Sequence, residues 1–139
     1  MREQTIFEIL HNMDKVTNNL IIQWNKFFEG DLGVSHILVL GHLKSHGKSR
    51  PSDIAKALGL TPPTLTHLSN KLVKRGLVVR KPDDANRRVI FLEITEHGIE
   101  VLTKANEEGK ILRRKLFERL TDEERKQLLS IYEKLTKFL

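Results

Sequence analysis

The 139-residue chain contains no cysteine. Disulfides, thiolate-bound zinc and thiol-based redox sensing are therefore excluded, and the composition suits a reducing cytosol. No uncharged apolar stretch approaches the roughly 18 residues that span a bilayer. Met1 to Leu10 also mixes Arg2, Glu3 and Glu8 among its apolar residues, so a soluble, unexported, cytoplasmic protein without membrane contact is expected. The chain lacks a phosphate-binding glycine loop, a paired-acid signature and a nucleophile elbow. Nothing supplies a reaction, so an enzyme is not expected and no residue is assigned a catalytic role. Internal repeats, low-complexity stretches and Pro/Gly-rich linkers are absent too, and the length and 39% apolar content fit one ordinary domain.

What the chain does have is positive charge, unevenly placed. From His42 to Ile90, eleven lysines and arginines stand against three aspartates, a net +8 that leaves −2 for the rest of a +6 chain. Charge of one sign confined to a central segment is the footprint of a phosphate-binding face. A solvated basic surface is the plainer alternative on charge alone.

Hydrophobic spacing organises the chain into a mainly α-helical fold with a small β-hairpin. Ile6, Ile9, Leu10, Met13, Val16, Leu20, Trp24 and Phe27 recur by threes and fours, which predicts one amphipathic helix from Thr5 to Glu29. Gly30-Asp31-Leu32-Gly33 ends it, and Ser35 is expected to cap a second helix with Ile37, Leu38, Leu40 and Leu43 inside, closing at Gly47. Pro51 to Leu58 reads as a short helix stopped by Gly59, and Thr61 as the N-cap of the next, since Pro62 and Pro63 occupy first-turn positions that need no N–H. That helix runs to about Arg75, with Gly76 as its stop. A helix, a short glycine-containing turn and a second helix form a helix-turn-helix. Leu77 to Lys81 and Val89 to Ile94, joined by the turn-rich Pro82 to Arg88, predict a hairpin that serves as a wing. Thr95 caps a further helix, weakened in its middle by Gly109, and Thr121 to Glu124 opens the last with a capping box.

Within the second helix of this motif, Leu65, Leu68 and Leu72 should point inward, leaving Pro63, Thr64, Thr66, His67, Asn70, Lys71 and Lys74 exposed. Threonine methyls can touch thymine methyls, hydroxyls and His67 can bond base edges, and Asn70 could pair bidentately with adenine. Residues near the N-terminus of such a helix enter the groove most deeply, which makes Pro63, Thr64, Thr66 and His67 the base-edge candidates, beside the capping Thr61, with Lys71 and Lys74 nearer phosphates. At the wing, strand alternation would send Arg87 and Arg88 to opposite sides. One should face DNA, where a narrow minor groove attracts arginine, and the other brace Asp83 or Asp84 or contact a phosphate.

These motifs, in this order and spacing, resemble the MarR family of bacterial transcriptional regulators. The resemblance rests on Ser52-Asp53-Ile54-Ala55, Leu58-Gly59-Leu60, Pro63-Thr64-Leu65-Thr66, Leu72 through Val78, Asp83 through Arg88 and Leu92 through Gly98, about a third of the chain. It implies a winged helix-turn-helix lobe over residues 35–95 and a helical dimerisation lobe built from 1–30 and 96–139, within a single MarR-type chain of residues 1–139. It also implies a homodimeric repressor on an imperfectly palindromic operator, relieved by a small, often aromatic, anionic ligand bound between the lobes. The family's wing usually carries Asp-Arg-Arg, the second arginine entering the minor groove, and this maps to Arg88. Here Asn86 replaces the acid, and His67 stands where many members have arginine.

The dimer also follows from physics, because amphipathic helices at both ends of a short chain need a partner surface. A twofold axis would set the two reading helices about one DNA turn, roughly 34 Å, apart. Trp24, Phe27 and His42 are candidates for lining a ligand pocket, or are ordinary core. Two other classes fit parts of the pattern. A winged helix used only to bind proteins would need a neutral reading face. A metal-responsive regulator would use His42 and His46, spaced i, i+4, with His36 nearby, but the sequence offers no evident third ligand. No metal site is therefore assigned.

Overall fold

The order of elements follows the punctuation just described. A computed structural model of the chain describes residues 2–28 and 30–139 and holds α1 (Arg2–Asn25), α2 (Val34–His46), α3 (Pro51–Leu58), α4 (Pro62–Lys74), β1 (Val78–Pro82), β2 (Ile90–Ile94), α5 (Glu96–Glu118) and α6 (Asp122–Phe138). Met1 and Glu29, which the expected first helix and terminal lobe include, lie outside the described residues. The fold is mainly helical with one antiparallel hairpin, in the register Val78 to Ile94 through Pro82 to Ile90.

Most local signals act as read. Gly59 adopts the left-handed conformation (φ 67°) that only glycine takes without steric cost, so α3 stops there. The hydroxyls of Thr61, Thr95 and Thr121 accept from the backbone N–H groups of Thr64, Gly98 and Glu124, capping α4, α5 and α6. Glu124 returns the bond to the Thr121 N–H at 2.9 Å, completing the capping box.

Several boundaries differ. The first helix ends at Asn25 rather than Glu29: Lys26, Phe27 and Phe28 donate to the carbonyls three residues back, and the Asn25 side chain accepts from the Val34 N–H (3.0 Å) at the start of the following helix. Ser35 is not the N-cap of α2. Gly33 is, and His36 Nδ1 accepts from its N–H at 3.0 Å. Leu38, expected inside, is 51% exposed, while Val39 takes its place in the core. Gly109 weakens a helix in isolation but here lets the Trp24 ring approach closely: a Cβ on it would lie 3.1 Å from the ring, whose Nε1 donates to the Ala105 carbonyl (2.8 Å), so the ring would have to give by a few tenths of an ångström.

The core lies in the middle of the chain: Leu40, Leu43, Ile54, Leu65, Leu72, Leu77, Val78 and Leu92 are all but fully buried. Ser49 adds a bridge to the sheet, exchanging both backbone bonds with Leu92 (3.0 and 2.8 Å). Lys48 and Arg50 stand 5.2 and 5.9 Å from the Phe91 ring and fasten the wing's outer face to the loop before α3. By contrast, α1 and α6 contain no buried residue. No described helix is long and apolar enough to cross a membrane.

Candidate nucleic-acid interface

Helix α4 is built to present one face. Leu65, Leu68 and Leu72 are buried together with Ser69, whose hydroxyl donates to the Leu65 carbonyl at 2.7 Å and is thereby satisfied. Pro63, Thr64, Thr66, His67, Asn70 and Lys74 are exposed, as is the cap Thr61, and Lys71 is half-buried. The hydroxyls are partly committed within the helix: Thr61 Oγ1 donates to Thr64 Oγ1 (2.8 Å) and Thr66 Oγ1 to the Pro62 carbonyl (3.0 Å).

Both flanks of this ridge are held by distant residues. On one side Asp31, in the α1–α2 loop, pairs with Lys71 and lies 3.4 Å from Arg75. The hydrogen bond from Lys71 is the main reason that the Asp31 carboxyl titrates below its ordinary range. Lys71, expected near phosphates, thus has an acidic partner, which it shares with Arg75. On the other side Arg80, from β1, donates to the side-chain Oδ1 of Asn70. The sequence reading missed both Asp31 and Arg80, because each acts on α4 from outside the motif.

The wing tip is a turn, which corrects the expected placement of its arginines. Arg87 and Arg88 precede β2 rather than belonging to it, so strand alternation does not separate them. The tip is closed by backbone bonds from Asp83 to Val89 (2.8 Å) and Val89 to Asn86 (2.9 Å), and Asn86 Oδ1 accepts from the Arg88 N–H at 3.1 Å. This is an Asx turn, which Asn forms as well as Asp, although without the acid's charge. Among the described residues Arg87 and Arg88 form no ion pair with Asp83 or Asp84, and both are exposed.

His36 sits beneath α4 and is 8% exposed. Its Nδ1 accepts from Gly33, so the neutral ring carries its proton on Nε2, which is buried without a partner. An unmet donor of this kind costs about 1–3 kcal/mol. Burial holds the ring's pKa below the usual 6.5, Lys71, His67 and Arg75 push the same way, and Asp31 opposes them. Protonation would also turn Nδ1 from acceptor to donor against the Gly33 N–H. In the unfolded chain His36 binds its proton near pH 6.5, so the stabilisation is complete above that pH and is lost as pH falls toward the lower folded value. Urea midpoints are expected to drop from pH 7 to pH 5, and His36→Asn, which keeps an acceptor for Gly33, should flatten that drop. An equally steep profile in the variant would assign the effect elsewhere, for instance to His42, whose pKa burial also lowers.

His42 and His46 stack at 4.2 Å with their rings 13° apart. Parallel rings do not converge their nitrogens on a common point. Among the described residues no three metal-ligating side chains come together, His36 included.

A cavity of about 150 Å³ opens between the α1–α2 loop, the end of α4 and α5, lined by Phe27, Phe28, Leu32, Arg75, Val101, Lys104, Ala105 and Glu108. Of the pocket candidates read from sequence, Phe27 lines it, whereas Trp24 is packed on Phe28 and Gly109 and His42 on His46.

Comparison with known proteins meets this geometry. The MarR family model matches residues 32–90. The chain is 32% identical over 97 residues, 70% of each chain, to the HTH-type transcriptional regulator YwhA of Bacillus subtilis, and 26% identical to YpoP of the same organism over 99% of this chain and 97% of that one. The YusO protein from Bacillus subtilis superposes with a TM-score of 0.80 at 24% identity, covering 99% of this chain and 98% of the other. MepR, a transcription regulator of the Staphylococcus aureus multidrug efflux pump MepA, gives 0.80 at 22% identity over 91% and 95%. With the winged helix-turn-helix in place and sequence similarity running through it, the chain belongs to the MarR family of transcriptional regulators, non-enzymatic proteins that bind DNA.

Proposed function

We propose that this chain is a homodimeric repressor that binds an imperfectly palindromic operator in double-stranded DNA and releases it on binding a small aromatic or anionic effector, without a metal cofactor. The observation that carries the reading is the exposed polar ridge of α4, followed in the same lobe by a wing tip whose two exposed arginines form no ion pair among the described residues. In this reading residues 35–95 dock on DNA, with α4 in the major groove. Thr61, Pro63, Thr64, Thr66 and His67 then face base edges, Asn70 lies farther along the same ridge, Lys74 lies nearer a phosphate, and Arg88 faces the adjacent minor groove with Arg87 at a phosphate.

Residues 1–30 and 96–139 supply the dimer. Ile6, Ile9, Leu10 and Met13 on α1 and Ile131 and Leu135 on α6 are each about half exposed, between 49% and 59%. Apolar faces of that extent mark interaction surfaces, and a second copy offers the same faces by symmetry. Sedimentation at micromolar concentration should return twice the 16.1 kDa chain mass. A monomer would remove the palindrome from the proposal.

The effector would enter the cavity beside α5, where Phe27 and Phe28 offer ring faces and Arg75 and Lys104 outnumber Glu108. Small aromatic carboxylates should shift a DNA-binding isotherm, and Arg75→Ala should blunt that shift. Because Asp31 pairs with Lys71, Asp31→Asn should steepen the salt dependence of binding by up to about 0.9 in the log–log slope, one phosphate contact's worth. Weaker binding with a shallower slope would instead make Asp31 a support for the helix.

A further inference from the structure

Arg80 pairs across the hairpin with buried Leu92 and lies two residues beyond buried Val78, so alternation directs it to the α4 side of the sheet, past the edge of the core. There its Nη2 donates to Asn70 Oδ1 on the exposed ridge of α4. A guanidinium has donors only, so the atom facing it must be the amide oxygen, and the orientation of the Asn70 amide is settled chemically. The Asn70 NH2 group is turned away from Arg80. Toward solvent the pair then offers the two amide N–H groups and the remaining guanidinium N–H groups, against a single remaining lone pair on the amide oxygen.

That arrangement changes what Asn70 can recognise. The bidentate adenine pair needs the amide oxygen to accept from the N6 amino group, yet here one of its two lone pairs is taken and the guanidinium's own donors stand beside the other. Guanine presents N7 and O6 to the major groove, two acceptors and no donor, and a phosphate likewise presents only acceptors. We propose that Arg80 is a positioning residue that turns the Asn70 amide outward as a donor, so that this part of the reading face favours an acceptor-only group of DNA, a guanine edge or a phosphate, over adenine. The inference rests on the reading that α4 lies on duplex DNA.

The test compares the full-length protein with Arg80→Ala and Asn70→Ala by selection from a random duplex pool, followed by titration of the selected site and of single-base substitutions in it. Both side chains are at the surface, and circular dichroism checks that the variants stay folded. With guanine as the target, one position per half-site should favour guanine over adenine by about tenfold in the native protein, within the usual range for one good base contact. Asn70→Ala should abolish that preference, and Arg80→Ala, by freeing the amide, should turn it toward adenine. 7-Deazaguanine at that position should weaken the native protein about tenfold and leave Asn70→Ala unaffected. With a phosphate as the target, both variants should lose the same factor on every duplex while base preferences persist. A native preference for adenine that depends on Asn70, or an Arg80→Ala variant unchanged in both affinity and preference, would overturn the inference alone. Failure of the native protein to bind any duplex would overturn the DNA reading, and the inference with it.

Discussion

Gly98→Ala is expected to lower the melting temperature by about 10 °C, corresponding to roughly 3 kcal/mol of lost stability in a chain of this size. The added Cβ would lie 2.2 Å from the Leu77 carbonyl oxygen and 2.7 Å from Ile94 Cγ1. A flexible side chain could step aside, but the Leu77 oxygen is backbone and also accepts from the Thr95 N–H at 3.0 Å. Relief therefore requires the first turn of α5 to move as a unit. Such a shift also strains the bond from Thr95 Oγ1 to the Gly76 carbonyl (2.7 Å). These contacts fasten the start of α5 to the corner where α4 becomes β1, so DNA affinity should fall with stability. Thermal unfolding monitored by circular dichroism checks the prediction, and a melting temperature within about 2 °C of the native value would mean that the close approach does not exist in solution.

Arg88→Ala is expected to weaken binding to every duplex tested by about ten- to a hundredfold near 0.1 M salt, and to reduce the log–log salt slope by about 0.9. The same factor should apply across sequences if the contact is electrostatic, whereas Thr64 and His67 substitutions should redistribute preference among them. Arg88 is singled out because Asn86 holds its backbone N–H, which fixes the point from which the side chain leaves the tip. Asn86→Ala should therefore reproduce part of the loss without removing a charge. Unchanged binding by Arg88→Ala would detach the wing from the interface.

What was legible in the sequence was chemistry that acts over a few residues. Gly59 must terminate α3, Thr61 can cap α4 ahead of two prolines, and Thr121 with Glu124 closes a box, because each partner lies within one turn. The buried set Leu65, Leu68 and Leu72 followed from helical spacing in the same way. Contacts between elements were not legible. Asp31 lies 40 residues from Lys71 and Arg80 ten from Asn70, so charge counting left Lys71 free and Asn70 unoriented. Gly109 read as a weak point of α5 because its reason, the Trp24 ring, comes from the other end of the chain. Arg87 and Arg88 were assigned to opposite faces by a strand period that the tip turn does not obey.

The most direct measurement of the central claim is selection of duplexes from a random pool by the native protein. The account predicts enrichment of an imperfect palindrome whose half-sites are centred about one helical turn, 10–10.5 base pairs, apart. Recovery of no common sequence, or of a single unrepeated half-site, would contradict it.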